Sequence, residues 1–99
     1  MSSDTPAYVI GHITVKDAEL FAEYRAQVPG TIAPWGGELV FRGAKYCVLS
    51  GEHDHHDTVV IRFPDQNALE GWFNSEAYQA LIPLRTQAAD MVLVGYSEG

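Results

Sequence analysis

The sequence predicts an α+β domain with its segments in the order β-α-β-β-α-β. Three observations carry that expectation. Apolar residues recur at helical spacing in two stretches, around residues 17–35 and 65–85. Runs rich in β-branched and aromatic residues precede, separate and follow those stretches. Proline, glycine and capping residues fall at the junctions between them. Ninety-nine residues with 46% hydrophobic content make one compact domain, near the small end of what buries a sufficient core alone. That domain is expected over residues 7–97, with 1–6 as a polar, disordered lead-in.

The first strand is Ala7 to Val15, ending at Lys16-Asp17, where Asp17 can cap a helix by accepting the free amide of Glu19 or Leu20. Phe21, Tyr24, Val28, Ile32 and Trp35 then follow at spacings of 3, 4, 4 and 3, one stripe of a helix. Pro29 should kink that helix, and Pro34 with Gly36-Gly37 should end it. The segment ELVFRGAKYCVLSG alternates and breaks at Gly43-Ala44. It reads as one bent strand or as two short strands joined by a tight turn. A polar loop, Gly51 to Asp57, leads to a strand over Thr58–Phe63 that stops at Pro64. Asp65 caps a helix with Leu69, Trp72 and Phe73 on one face, and Asn74-Ser75 interrupts it. Ser75 caps a second helical piece bearing Tyr78, Leu81 and Arg85, with Pro83 limiting its regularity. MVLVGYS forms the last strand. The sum is the ferredoxin-like sandwich, an antiparallel sheet with helices on one side.

Both faces of the strands are apolar. Alternation puts Val9, Gly11, Ile13 and Val15 on one side of the first strand, and Tyr8, Ile10, His12 and Thr14 on the other. The third strand sets Val59, Ile61 and Phe63 against Thr58, Val60 and Arg62. The last sets Val92, Val94 and Tyr96 against Met91, Leu93 and Gly95. Two helices cover one face, so the other calls for a partner. A homodimer joined through its sheet faces, burying about 1,600 Å² or more in total, is the economical solution.

With 13 acidic and 6 basic residues the chain carries a net charge of −7, and its basic residues are scattered. Such a chain repels phosphate backbones and anionic headgroups, which argues against nucleic-acid and membrane-surface partners. No apolar run approaches the roughly 20 residues of a membrane span. Cys47, the single cysteine, lies in the apolar run Tyr46-Cys47-Val48-Leu49 and reads as a buried thiol in a cytoplasmic protein.

The segments AYVIGHITVKD, IAPWGGELVFRGA, VVIRFPD and above all WFNSEAYQALIPLRTQAAD resemble domain-of-unknown-function family 1330, over about residues 7 to 95. The most specific part is Trp72 to Arg85, where an aromatic pair, Asn-Ser, Tyr-Gln and Arg fall as in that family. The resemblance implies a dimeric α/β barrel, in which ferredoxin-like subunits join their sheets. That superfamily includes cofactor-independent monooxygenases, haem-degrading enzymes, lactone isomerases and stress-linked binding proteins. The loop His53, Asp54, His55, His56 departs from the family pattern, whose members commonly have a shorter or less histidine-rich loop there.

The superfamily generally binds small molecules between helices and sheet. His12, Trp35, Arg42, Trp72, Tyr78 and Arg85 are the candidate lining of that pocket. Aromatic rings offer flat apolar walls, and an arginine fork matches a carboxylate in two parallel hydrogen bonds, so the expected ligand is an aromatic or carboxylate-bearing metabolite. The competing account makes Trp35 and Trp72 core anchors and pairs the arginines with Glu38, Glu70 or Glu76. His12 is also the candidate acid/base of an alternative reading as a cofactor-independent monooxygenase or isomerase. A third reading is a structural or interaction dimer without ligand. No cofactor is expected. The loop Glu52–Asp57 holds three imidazoles and three carboxylates, but adjacent side chains in a loop rarely converge, so no metal site is assigned to it.

Overall fold

The computed structural model describes residues 5–98, so most of the expected lead-in over 1–6 lies outside the described residues. Four strands form one sheet: β1 (Ala7–Val15), β2 (Glu38–Ala44), β3 (Asp57–Phe63) and β4 (Ala89–Ser97). The helices are α1 (Ala18–Ile32), α2 (Gln66–Asn74), α3 (Glu76–Gln79) and α4 (Ile82–Ala88). The strand order is β2-β3-β1-β4, with every neighbouring pair antiparallel. This is the ferredoxin-like arrangement the segment order predicts.

The junctions follow the local chemistry. The Asp17 carboxylate accepts from the amides of Glu19 and Leu20 at 3.1 Å each, opening α1. Pro29 does not end α1, which continues to Ile32. The amide it lacks would have bonded Arg25, and both residues lie on the exposed side of the helix. A single 3-10 turn over Ala33–Trp35 follows, closed by Gly36 at φ 76°, a left-handed conformation open to glycine. Asp65 caps α2 through the amide of Ala68, and Ser75 separates α2 from α3, capping the latter through the amide of Tyr78.

Val9, Ile13, Val59, Ile61 and Phe63 point toward the helices and meet Phe21, Tyr24, Val28, Ile32, Trp72 and Tyr78 in one core. Trp72 stacks near Phe63 and Tyr78, at ring separations of 5.4 and 4.4 Å. The opposite sheet face carries Tyr8, Ile10, Val60, Val94 and Tyr96, paired across neighbouring strands as Tyr8 with Tyr96 and Ile10 with Val94 and Val60. No helix lies on that face. Phe41 and Tyr96 there stay 54% and 50% exposed, as two-sided apolar alternation requires.

Two expectations are corrected in the segment after Gly37. Of its alternatives, the bent strand is the one found: β2 is a single strand with a register irregularity between Leu39 and Phe41, and no second strand follows Gly43-Ala44. Residues 45–56 instead run as irregular chain. Cys47 is therefore exposed rather than buried, flanked by Tyr46 and Leu49 at 93% and 91% exposure. An apolar run predicts burial only where another surface covers it, and within one chain nothing covers this one.

Candidate functional site

The sheet has two chemically different sides, and the predicted site residues divide between them. On the helix side, a cleft of about 560 Å³ opens between α1 and β2. Phe21 and Arg25 border it from α1, Arg42 and Gly43 from β2, and Asp57 from β3. A narrower recess shares Phe21, Arg25 and Arg42 and runs inward to Tyr24, Trp72 and Leu93. Arg42 reaches this side because it pairs with Val59, whose side chain faces the core. Arg25 follows Phe21 by one helical turn, at the border of the buried stripe.

Neither arginine forms an ion pair among the described residues, where Lys16–Asp90 and Arg62–Glu38 are the two found. Burial, and then the charge of Arg25, hold the Arg42 guanidinium below its ordinary value, and Asp57 opposes them only in part. Two cations held together over an apolar recess make an electrostatic seat for an anion.

Behind the recess runs a buried polar chain. Arg85 in α4 donates from Nη1 to the Tyr78 hydroxyl at 2.8 Å, with its guanidinium 6.0 Å from the centre of the Tyr78 ring. The Tyr78 and Tyr24 hydroxyls are hydrogen-bonded at 2.7 Å. Burial, reinforced by Tyr78, pushes the Tyr24 phenol well above its ordinary range, so it stays protonated. A second chain is complete in itself: Trp72 Nε1 donates to Thr31 Oγ1 at 2.9 Å, and Thr31 donates to the Val28 carbonyl at 2.7 Å.

The structure thus brings Arg42 and Trp72 to the recess and sets Tyr78 and Arg85 behind Tyr24. Trp35 and His12 lie elsewhere. Trp35, 37% exposed, covers Gly71 of α2, where any side chain would run into its ring. The glutamate pairings do not form either: Glu38 pairs with Arg62 at 3.5 Å, and Arg85 turns to a tyrosine.

His12 stands on the open face, between Thr58 and Val92 of the neighbouring strands. The irregular loop folds back there, placing His53 and His55 at ring separations of 4.9 and 6.4 Å from it. Thr14 Oγ1 meets His55 Nδ1 at 3.0 Å, and His56 N–H donates to the Ile13 carbonyl at 2.9 Å. His12 Nδ1 is buried without a hydrogen-bond partner among the described residues. Burial, then His53 and His55, lower the His12 pKa and favour the neutral ring. No three His, Cys, Asp or Glu side chains among the described residues are arranged to hold a metal ion. The placement bears on the acid/base reading, since the sheet itself separates His12 from the cleft.

Sequence reasoning missed Arg25 and treated Tyr24 as core alone. The available signal for Arg25 was its position, four residues after Phe21 and three before Val28, beside the apolar stripe.

Comparison with known proteins places this geometry in a family context. The family profile described as domain of unknown function (DUF1330) matches residues 6–96. No curated protein matches the chain. Among solved structures, a protein of unknown function from Rhodopseudomonas palustris superposes with a TM-score of 0.81 at 18% identity, over 97% of this chain and 84% of that one. SnoaB, a cofactor-independent oxygenase from Streptomyces nogalater, superposes with a TM-score of 0.70 at 10% identity, over 96% and 94%. A dimeric ferredoxin-like protein of unknown function from Thermobifida fusca does so with a TM-score of 0.65 at 13% identity, over 94% and 91%. At these identities the likeness is one of fold. No helix among the described residues is long and apolar enough to cross a membrane.

Proposed function

The chain belongs to the DUF1330 family, and from that premise we propose that it is a cytoplasmic homodimer, joined through its open sheet faces, whose subunits each bind a small apolar anion between α1 and β2. The observation that carries the binding reading is the Arg25–Arg42 pair at the mouth of the apolar recess, with no ion-pair partner among the described residues. Two guanidinium groups on one cleft repel each other unless an anion lies between them, and a carboxylate satisfies both forks. The apolar walls select a hydrocarbon or aromatic body for the rest of the ligand.

Support for the dimer comes from the uncovered apolar sheet face and from the exposed Tyr46–Leu49 segment, both of which a second copy would bury. An exposed lone thiol at Cys47 accords with a reducing compartment.

Calorimetric titration with para-isopropylbenzoate and with its neutral amide tests the binding reading. The carboxylate should bind and the amide should bind at least tenfold more weakly. Arg42→Met should remove most of that difference, since a charge-assisted hydrogen bond contributes about 1.5–3 kcal/mol. Equal affinities for acid and amide, or no heat from either, would reject the reading.

A further inference from the structure

Resting on that binding reading, we infer that Tyr24 is the specificity-determining group at the inner end of the cleft: its hydroxyl offers a hydrogen-bond donor, so the ligand carries an acceptor oxygen on its apolar body, remote from the anionic group. The inference follows from the direction that chemistry forces on the Arg85–Tyr78–Tyr24 chain.

A guanidinium has donors and no acceptor. The Arg85 contact at 2.8 Å therefore makes the Tyr78 oxygen an acceptor there. Tyr78 is fully buried, and its hydroxyl has two hydrogen-bond partners among the described residues, Arg85 and Tyr24. Its own proton can go only to Tyr24, because Arg85 cannot take it. The reverse orientation, with Tyr24 donating, would leave a buried Tyr78 O–H without an acceptor, which is the costly arrangement. Tyr78 consequently donates to Tyr24 across 2.7 Å, and the Tyr24 proton is left with no protein acceptor among the described residues.

Tyr24 borders the recess together with Arg25 and Arg42, and its hydroxyl lies close enough to Arg42 to influence that guanidinium electrostatically. The donor is thus presented to the space that the anion site opens into. The Trp72–Thr31–Val28 chain beside it shows the contrast, since it ends on a carbonyl and asks for nothing more. A ligand with a carbonyl, ether or hydroxyl oxygen on its apolar body completes the open chain. A hydrocarbon body leaves the Tyr24 O–H unpaired against apolar walls. Arg85 and Tyr78 are positioning residues in this account: they fix which way the hydroxyl proton of Tyr24 points and do not touch the ligand.

The test uses two nearly isosteric probes, acetylbenzoate and isopropylbenzoate, each as its meta and para isomer, titrated calorimetrically into the intact protein. They share the carboxylate and the ring, and differ in one acceptor oxygen. The expected result is that at least one acetyl isomer binds roughly tenfold more tightly than its isopropyl counterpart, the effect of one net hydrogen bond to a buried donor. Tyr24→Phe should abolish that preference while leaving isopropylbenzoate affinity within about twofold. Arg85→Met should reduce the preference, because Tyr78 is then free to reverse.

Isopropyl and acetyl probes that bind equally well to the parent protein, with Arg42→Met weakening both, would overturn the role of Tyr24 and leave the anion cleft standing. Binding of neither probe would overturn the cleft and this inference together. The ratio in the parent protein is decisive on its own, so a Tyr24→Phe chain that failed to fold would not protect the proposal.

Discussion

At the scale of single residues, the same aromatic side chains serve core and site, and their polar ends decide which. Trp72 is closed by Thr31 and is a core anchor with one wall on the recess. Tyr24 is left open. Its phenol is raised above the ordinary value of about 10. For a group whose folded pKa is raised, the stabilising contribution is complete below the unfolded pKa and is lost as pH rises toward the folded value. Stability should therefore decline above about pH 10, with this one group contributing a slope of up to about 1.4 kcal/mol per pH unit. Chemical denaturation at several pH values should show a shallower alkaline decline for Tyr24→Phe than for the parent, and parallel curves would show that Tyr24 ionises normally. The residue types of the cleft were legible in the sequence: an arginine in a β strand and aromatics at helical spacing. Their grouping was not. Arg42 and His12 are each followed by an apolar or glycine residue in a strand, and only the register, with Arg42 opposite Val59 and His12 opposite Thr58, puts them on opposite sides of the sheet.

At the scale of elements, caps and breakers predict boundaries well because they act within a few residues. Asp17, Asp65 and Ser75 each accept the amides their positions require. Ser75→Ala should cost about 1 kcal/mol, read as a lowered urea midpoint at unchanged slope. Gly71→Ala should cost more, about 1–3 kcal/mol, because its methyl group meets the Trp35 ring. A fully retained midpoint would show that Trp35 moves aside freely. The segment after Gly43 was legible only in part. Its apolar letters fit a strand, yet pairing needs a neighbour, and β3 offers none past Asp57, which pairs with Ala44. Burial of Cys47 was misread for the same reason: hydropathy reports what a segment would gain from cover and says nothing about which chain supplies it.

At the scale of the whole molecule, four strands and their helices leave one sheet face apolar and uncovered, and that imbalance was visible in the two-sided alternation of β1 before any residue was placed. A solution dimer should be found by sedimentation at micromolar concentration. Val92→Glu, which sets a carboxylate in the middle of the open face, should raise the dimer dissociation constant at least tenfold while the chain keeps its fold by circular dichroism. A parent protein that sediments as a monomer would remove the sheet-to-sheet assembly. The two faces then carry separate tasks, association on the open side and ligand capture on the helix side, with the sheet between them. Backbone amide NMR during titration with para-acetylbenzoate tests that division most directly. The account predicts shifts concentrated at Phe21–Arg25 and Arg42–Ala44, with the amides of His12, His53 and His55 unmoved. Shifts centred on the three histidines would contradict it and would move the site to the other side of the sheet.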